Sequence, residues 1–499
     1  MHQRMILSLL IVISIVIING CSSNNAVNYT EDAEFETIAT EREKQLVKNP
    51  QWGLALSGGG IRSAAFQLGV LKYLYNQNNQ AHSDSPSLND IDFISSVSGG
   101  GYASHLLYTT YDRENQGEYD FGYYVLDDKN FAESVCNIYQ RGNFVFYPKL
   151  LWDWLPPDST EPKLYYEKQI RRTFGYRDMP EKYNLYMEEL ESYISDPWQK
   201  VPYPIINLTI DGQDKWRYKL YEVTPLHQGN DVIGYIPLIP KKTKFSQSVT
   251  ISAAAVELLL KQEIVNPNPD DNVYGQTLTV YDGGKSENMG AIALIRRGIP
   301  NIIVSDAEHD PSMSYGGYNI LLQGLNGAGY TINHHDTNEK EKGFKHFTVS
   351  KNGVKQSDVY YIKMQLPAEI FSQERNEEFG FQASEKIRIR TNAESCQSAQ
   401  SEFESIFGKT DFEDPFATWL KYASLDYKYF LNESDNWDAI WVRTKIRMLN
   451  LLTLNSSFFA YSFPHISTAD QGLYIDQTLS LMGLGYQQAE KLMPYIRSH

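Results

Sequence analysis

Three short strings in this chain carry residues able to do acyl-transfer chemistry. Ser98 sits within Ser96-Val97-Ser98-Gly99-Gly100, where small neighbours permit a tight turn around a hydroxyl. Upstream, Ser57-Gly58-Gly59-Gly60-Ile61-Arg62 sets a run of glycines ahead of a basic residue. Downstream, Asp282 opens Asp282-Gly283-Gly284. A serine lifted clear on a strained turn is a nucleophile. Backbone N–H groups without side chains can converge on an anion at a helix N-terminus. A carboxylate can take up the hydroxyl proton. One string can thus create an oxyanion, another can hold it, and the third can move the proton. Alone, Asp-Gly-Gly is a common turn, so the reading rests on the combination.

The segments around these strings are of the kind needed to position them. Trp52 to Leu56 is an apolar run, and Ile61, Ala64, Ala65, Leu68, Leu71 and Tyr75 follow at helical spacing. Ile91 to Val97 is a second apolar run, followed by a small-residue helical pattern from Tyr102 to Leu107. Gln51 to Leu107 therefore reads strand-helix-strand-helix, the opening of a parallel α/β sheet. Leu278 to Tyr281 delivers Asp282 at a strand end, where a carboxylate can face a site on the sheet's C-terminal edge. Further strands are predicted at Pro204 to Ile210, Asn301 to Ser305 and Val359 to Leu366, with a small-residue helix beginning at Val249. Residues 110–200 form an aromatic-rich insert, and its apolar stretch from Asn143 to Pro157 suits either a lid over a lipid site or a loop packed on the core. From Pro415 onward the periodicity is mainly helical.

With 499 residues, the chain can bury a large core. A net charge of -16 argues against nucleic acid as a partner and against electrostatic docking on anionic lipid. The 35 tyrosines and 8 tryptophans give a supply of amphipathic rings suited to lipid interfaces, glycans or rigid loops. At the N-terminus, His2 and Arg4 precede an apolar stretch from Met5 to Ile18 that is short for a membrane span and ends as signal peptides do. Cys136 and Cys396 can pair in an oxidising compartment or stay as free thiols. Neither has a cysteine or histidine at metal-ligand spacing, and His309, His334 and His335 read as surface groups, so no metal is expected.

Taken together, the three strings resemble those of the patatin-like phospholipase family, which is related to the cytosolic calcium-dependent phospholipases. Gly58-Gly59-Gly60-Ile61-Arg62 matches its glycine-rich motif, Ser96 to Gly100 its serine elbow, and Asp282-Gly283-Gly284 its aspartate motif. Ser252-Ala253-Ala254, Glu222 to Pro225, and Phe463-Pro464-His465 match weaker family segments. Two positions depart: Ser96 replaces the elbow's first glycine, and Ser63 replaces the glycine that follows the basic residue in the plant proteins.

The resemblance implies a three-layer fold, with a mainly parallel central sheet between helices. It implies a catalytic core over residues 49–310, with the insert at 110–200, and a mainly helical remainder over 311–499. It also implies a Ser98–Asp282 dyad working without histidine, an oxyanion hole at Gly58, Gly59 and Gly60, and Arg62 as phosphate or loop support. The expected activity is hydrolysis of a lipid acyl ester, of phospholipase A or lysophospholipase type, with membrane lipids or lysolipids as substrate and no cofactor. The competing expectations are a catalytically silent lipid-binding scaffold and a soluble-ester hydrolase with a Ser98–Asp282–His465 triad. Ile18-Asn19-Gly20-Cys21 resembles a bacterial lipoprotein box. It implies a signal peptide over 1–20, lipidation of Cys21, a polar tether over 21–48, and anchoring in the cell envelope, with Ser22 favouring the outer membrane.

Overall fold

The computed structural model describes residues 38–78, 85–115, 126, 162–174, 184–196, 200–211, 219–230, 234–238, 242–253, 262–265, 277–310, 313–335, 343–365 and 475–498. Cys21, Cys136, Cys396, His465 and the 143–157 stretch lie outside them. The first described helix, α1 (Ile38–Leu46), leads into β1 (Trp52–Leu56). Next come α2 (Gly60–Gln77), β2 (Ile91–Val97), α3 (Gly99–Asn115) and α4 (Pro162–Thr173). Strands β3 (Tyr203–Asp211), β4 (Lys219–Val223), β5 (His227–Asn230) and β6 (Gly234–Pro237) precede α5 (Phe245–Ser252). Then follow β7 (Gln262–Val265), β8 (Thr277–Tyr281), β9 (Asn301–Asp306) and α6 (Gly316–Gly327). Strands β10 (Tyr330–His335), β11 (Phe344–Lys351) and β12 (Val354–Lys363) complete the sheet, and α7 (Ile475–Ser498) closes the described chain.

The main path of the sheet runs β10-β11-β12-β9-β1-β2-β3-β4-β5-β6. Its centre, β12-β9-β1-β2-β3, is parallel throughout, and antiparallel strands extend it on both sides. Alternation along the central strands feeds two apolar layers. Leu54, Leu56, Ile94 and Ile303 pack on the side of α2, α3, α5 and α7. Ala55, Phe93, Ile302 and Val304 pack on the opposite side with Ile292, Leu294, Ile295, Tyr318 and Leu321. Period-two burial toward both faces is what a parallel sheet covered by helices requires. This is the three-layer α/β arrangement expected from the sequence.

Three local expectations need correction. Within the polar tether assigned to 21–48, the described part holds α1, where Glu43 is buried and bonded through both carboxylate oxygens to Arg297, at 2.6 and 3.0 Å. A charged, weakly amphipathic sequence hid a helix docked by this ion pair together with the apolar contacts of Leu46 and Val47 at its C-terminal end. The helix predicted to begin at Val249 instead ends at Ser252, having started at Phe245. The remainder from 311 onward is not mainly helical over its first part. It contributes β10, β11 and β12; the strand predicted at Val359 to Leu366 falls on the buried end of β12, whereas polar, half-exposed faces blur the alternation in β10 and β11.

Candidate active site

The register of β3 explains how distant motifs meet. β2 runs parallel to β3 and its last pair is Val97 with Asn207. β8 runs antiparallel to β3, and its last pair is Tyr281 with Thr209. The two strands therefore finish facing one another near the same stretch of β3. Ser98 follows one end and Asp282 the other. Gly283 seals the junction: a Cβ placed there would stand 2.2 Å from the Asn207 carbonyl and 3.2 Å from Val97 Cγ1.

Ser98 has φ of 48°, a left-handed conformation that costs a non-glycine residue energy and turns the chain sharply from β2 into α3. Its N–H donates to Ser252 Oγ at 2.9 Å, and Ser252 in turn donates to the Asn207 carbonyl at 2.6 Å. The strained turn is thus tied to β3 through α5. The Ser98 hydroxyl itself donates to no group among the described residues. Ser96 sits inside β2 as extended backbone, which explains why glycine is not needed at that position.

The glycine loop packs backbone to backbone against this turn. A Cβ on Gly99 would lie 2.1 Å from the Gly60 carbonyl, so only hydrogen fits there. Gly59 has φ of 145°, closed to other residues, and leads into the N-terminus of α2. The loop is held from below by Ser57, whose N–H donates to the Ser305 carbonyl and whose Oγ accepts the Ala307 N–H at 2.7 Å. Ser63 donates to the Ser57 carbonyl at 2.7 Å, so the second departure from the family pattern acts as a brace.

These bonds narrow the predicted oxyanion set. The Gly58 N–H donates to the Asn288 carbonyl at 2.9 Å and is already engaged by the protein. No such bond engages the Gly59 or Gly60 N–H among the described residues. Arg62 is buried and directs Nε and Nη2 at the Ala307 carbonyl, at 3.3 and 3.1 Å. Of its two predicted roles, this contact serves loop support.

Asp282 accepts the Gly284 N–H on Oδ1 at 2.8 Å, which fixes the carboxylate and leaves Oδ2 for other work. Burial raises its pKa to about 6, and the Gly284 bond offsets only part of that rise. Two features here were not read from the sequence. Asn288 sets its Oδ1 2.2 Å from where a Gly58 Cβ would stand and 2.9 Å from where a Gly284 Cβ would stand. It therefore joins the glycine loop to the aspartate loop. Tyr166 of α4 is buried against the Tyr102 hydroxyl, and its own titration feels the Asp282 charge. Both depend on contacts between remote segments, and no local pattern marks them.

Part of the sequence and the fold are similar to known proteins. Residues 54–186 match the family described as patatin-like phospholipase. No curated protein matched the chain. Among solved structures, human GIVD cytosolic phospholipase A2 is similar, with TM-score 0.50 and 11% identity over 94% of this chain and 67% of that one. The same human enzyme in complex with methyl gamma-linolenyl fluorophosphonate gives TM-score 0.44 and 11% identity, over 94% of this chain and 64% of that one. Residues 54–186, which carry the glycine loop and the Ser98 turn, thus match the patatin-like phospholipase family, and the chain shares its fold with the human enzyme.

Proposed function

We propose that the protein cleaves the carboxylic esters of phospholipids or lysophospholipids through a Ser98–Asp282 dyad and an acyl-enzyme. The observation that carries this reading is the left-handed Ser98 turn at the end of β2, met head-on by the strand that ends in Asp282. In the first half-reaction, Ser98 Oγ attacks the ester carbonyl while its proton passes to Asp282 Oδ2. The carbonyl electron pair moves onto oxygen, where the Gly59 and Gly60 N–H groups are the available donors. Losing one such donor typically costs about 3 kcal/mol of transition-state stabilisation. Collapse of the tetrahedral intermediate expels the alkoxide, which takes the proton back from Asp282. Water then attacks the acyl-enzyme with Asp282 as base, and the fatty acid leaves as Ser98 is reprotonated.

A base must be ionised at working pH yet willing to accept a proton. Burial moves Asp282 toward that balance, to about 6. No hydrogen bond joins Ser98 Oγ to Asp282 in the ligand-free protein, and such contacts commonly tighten only when substrate is seated. Arg62 holds the glycine loop through Ala307 in this scheme.

The lipoprotein-like Cys21 motif supports anchoring of the enzyme in a bacterial envelope beside its substrate. No helix among the described residues is long and apolar enough to cross a membrane. Cys21→Ala should move the protein from the membrane to the soluble fraction. The activity test is fatty-acid release from positionally labelled phospholipids, with fluorophosphonate labelling as its partner. Wild-type protein should release fatty acid and be labelled, while Ser98→Ala should do neither. Labelling that persists in Ser98→Ala would rule out Ser98 as the nucleophile.

A further inference from the structure

His335, His346 and Asp358 are scattered in sequence but share one patch on the antiparallel flank of the sheet. His335 of β10 pairs directly with His346 of β11. Asp358 of β12 pairs with Thr348, two residues along β11 from His346. Side chains two apart on a strand point to the same face, so all three project together. That face is the one covered by α7, because Tyr495 of α7 packs on His346. One ligand-capable atom from each residue lies within 4.8 Å of the other two.

We propose that this patch is a site for a divalent transition cation of the zinc class, separate from the Ser98 site. Two imidazoles and one carboxylate are a donor set that zinc accepts, and three protein ligands leave a fourth position for water. Calcium and magnesium prefer all-oxygen shells, which argues against them here.

The surrounding contacts resemble the outer shell of a metal site. His346 Nδ1 meets the Tyr495 hydroxyl at 3.2 Å, turning Nε2 toward Asp358 Oδ1 at 3.7 Å. Asp358 Oδ1 also accepts the Thr348 hydroxyl at 2.9 Å, and Lys355 occupies the other carboxylate oxygen at 2.5 Å. Fixing the second nitrogen of a histidine and steering a carboxylate are what orient metal ligands. The His335 and His346 rings stack at 4.2 Å, a close approach that two imidazolium charges would oppose. A tetrahedral zinc ion needs donors roughly 3.3 Å apart. The exposed His335 ring, on the edge strand, rests with Nε2 2.5 Å from the Thr348 hydroxyl, and closing that gap exchanges this contact for the metal.

Such an ion would clip the edge strand β10 to β11 and β12. It would also act far from the proposed catalysis. Asp358 pairs with Asn301, which also pairs with Trp52 at the start of β1, whereas Ser98 follows the opposite ends of the parallel strands. No metal is expected from the sequence, where His335, His346 and Asp358 are far apart. These ligands meet across strands.

The test uses full-length protein stripped with a chelator and titrated with Zn²⁺ against a chromophoric zinc indicator, with melting curves in parallel. The expected result is one Zn²⁺ per chain and a rise in melting temperature on adding zinc. His335→Ala and Asp358→Asn should each weaken binding at least about tenfold. His335 is exposed, so His335→Ala should leave the metal-free melting temperature unchanged. Fluorophosphonate labelling should be the same in wild type and His335→Ala, with or without zinc, which separates this site from the catalytic reading. Failure of the wild type to bind zinc overturns the proposal. So does zinc binding that survives both substitutions undiminished, which would mean an adventitious ion only.

Discussion

Asp282 and Asp306 both stand where a strand of the sheet ends, and both are drawn out of water, yet their surroundings differ. Asp306 is fully buried and accepts Lys363 Nζ at 2.8 Å and the Tyr361 hydroxyl on the same oxygen. Lys363, itself fully buried, reaches Asp310 at 3.1 Å. Burial alone would push the Asp310 carboxyl up. Lys363, with the Ser314 and Tyr315 donors, more than reverses this and holds it well below its ordinary value. Lys363 is driven down by burial but raised overall by Asp306, Glu308 and Asp310. Asp282 accepts the Gly284 N–H and pairs with no cation among the described residues. Neutralised charge holds neighbouring strands β9 and β12 together. The uncompensated acid, beside Ser98, is left ready to exchange a proton. The difference separates a carboxylate used for architecture from one suited to catalysis.

The comparison breaks most visibly if the two acids prove interchangeable in their effects. Asp282→Asn keeps the acceptor for Gly284 and removes only the base. Fatty-acid release should fall about ten-thousandfold, the upper end of what general acid–base catalysis contributes. Lys363→Met should do the reverse. It strands two buried carboxylates, so unfolding free energy should drop by about 3–5 kcal/mol in denaturant titrations. Molecules that remain folded should still label with a fluorophosphonate. A Lys363→Met protein as stable as wild type would remove the architectural half of the contrast.

A smaller effect sharpens the other half. The Asp282 pKa lies at about 6 in the folded chain, above its ordinary 3.8, so the folded state holds its proton more tightly than the unfolded state. That favours folding below about pH 4, and the advantage is lost as pH rises through 6. Above pH 6 the ionised, uncompensated carboxylate therefore destabilises the fold. Asp282→Asn should be more stable than wild type there, by up to about 3 kcal/mol. The gap should close as the pH falls from 6 to 4. Denaturant midpoints recorded across that range would show it, and a gap independent of pH would assign the stabilisation to something other than the charge.

What could be read from the sequence follows the same division. Ser98, Gly58 to Gly60 and Asp282 announce themselves because each sits on a turn directly after an apolar strand, and local pattern is what a sequence displays. The strands feeding them were legible for the same reason, being buried on both faces. Asn288, the Tyr102–Tyr166 pair, Glu43 with Arg297, and the Lys363 cluster were not legible. Each is a polar group whose meaning comes from a partner on another element. Even the direction of β8 was hidden: an apolar strand ending in Asp282 reads alike whether parallel or antiparallel. Only the antiparallel pairing with β3 turns its end toward Ser98.

The last test concerns which group sets the pH dependence of turnover. If Asp282 is the base, kcat/KM should rise with pH, about tenfold per unit below 6, and level off above it. An ordinary imidazole near 6.5 would give an inflection too close to separate by position alone. The discriminating arm is therefore His465→Ala. A dyad predicts that this variant keeps substantial activity and the same inflection, because the burial that raises Asp282 is untouched. A triad predicts loss of both, as complete as in Ser98→Ala. Lys363→Met, assayed below its melting temperature, should also keep the inflection. Its lost cation lies among Asp306, Glu308 and Asp310 and is no part of what raises Asp282. An inflection that moves when Lys363 is removed, but not when the buried surroundings of Asp282 are changed, would mean that the two acids are one electrostatic unit after all.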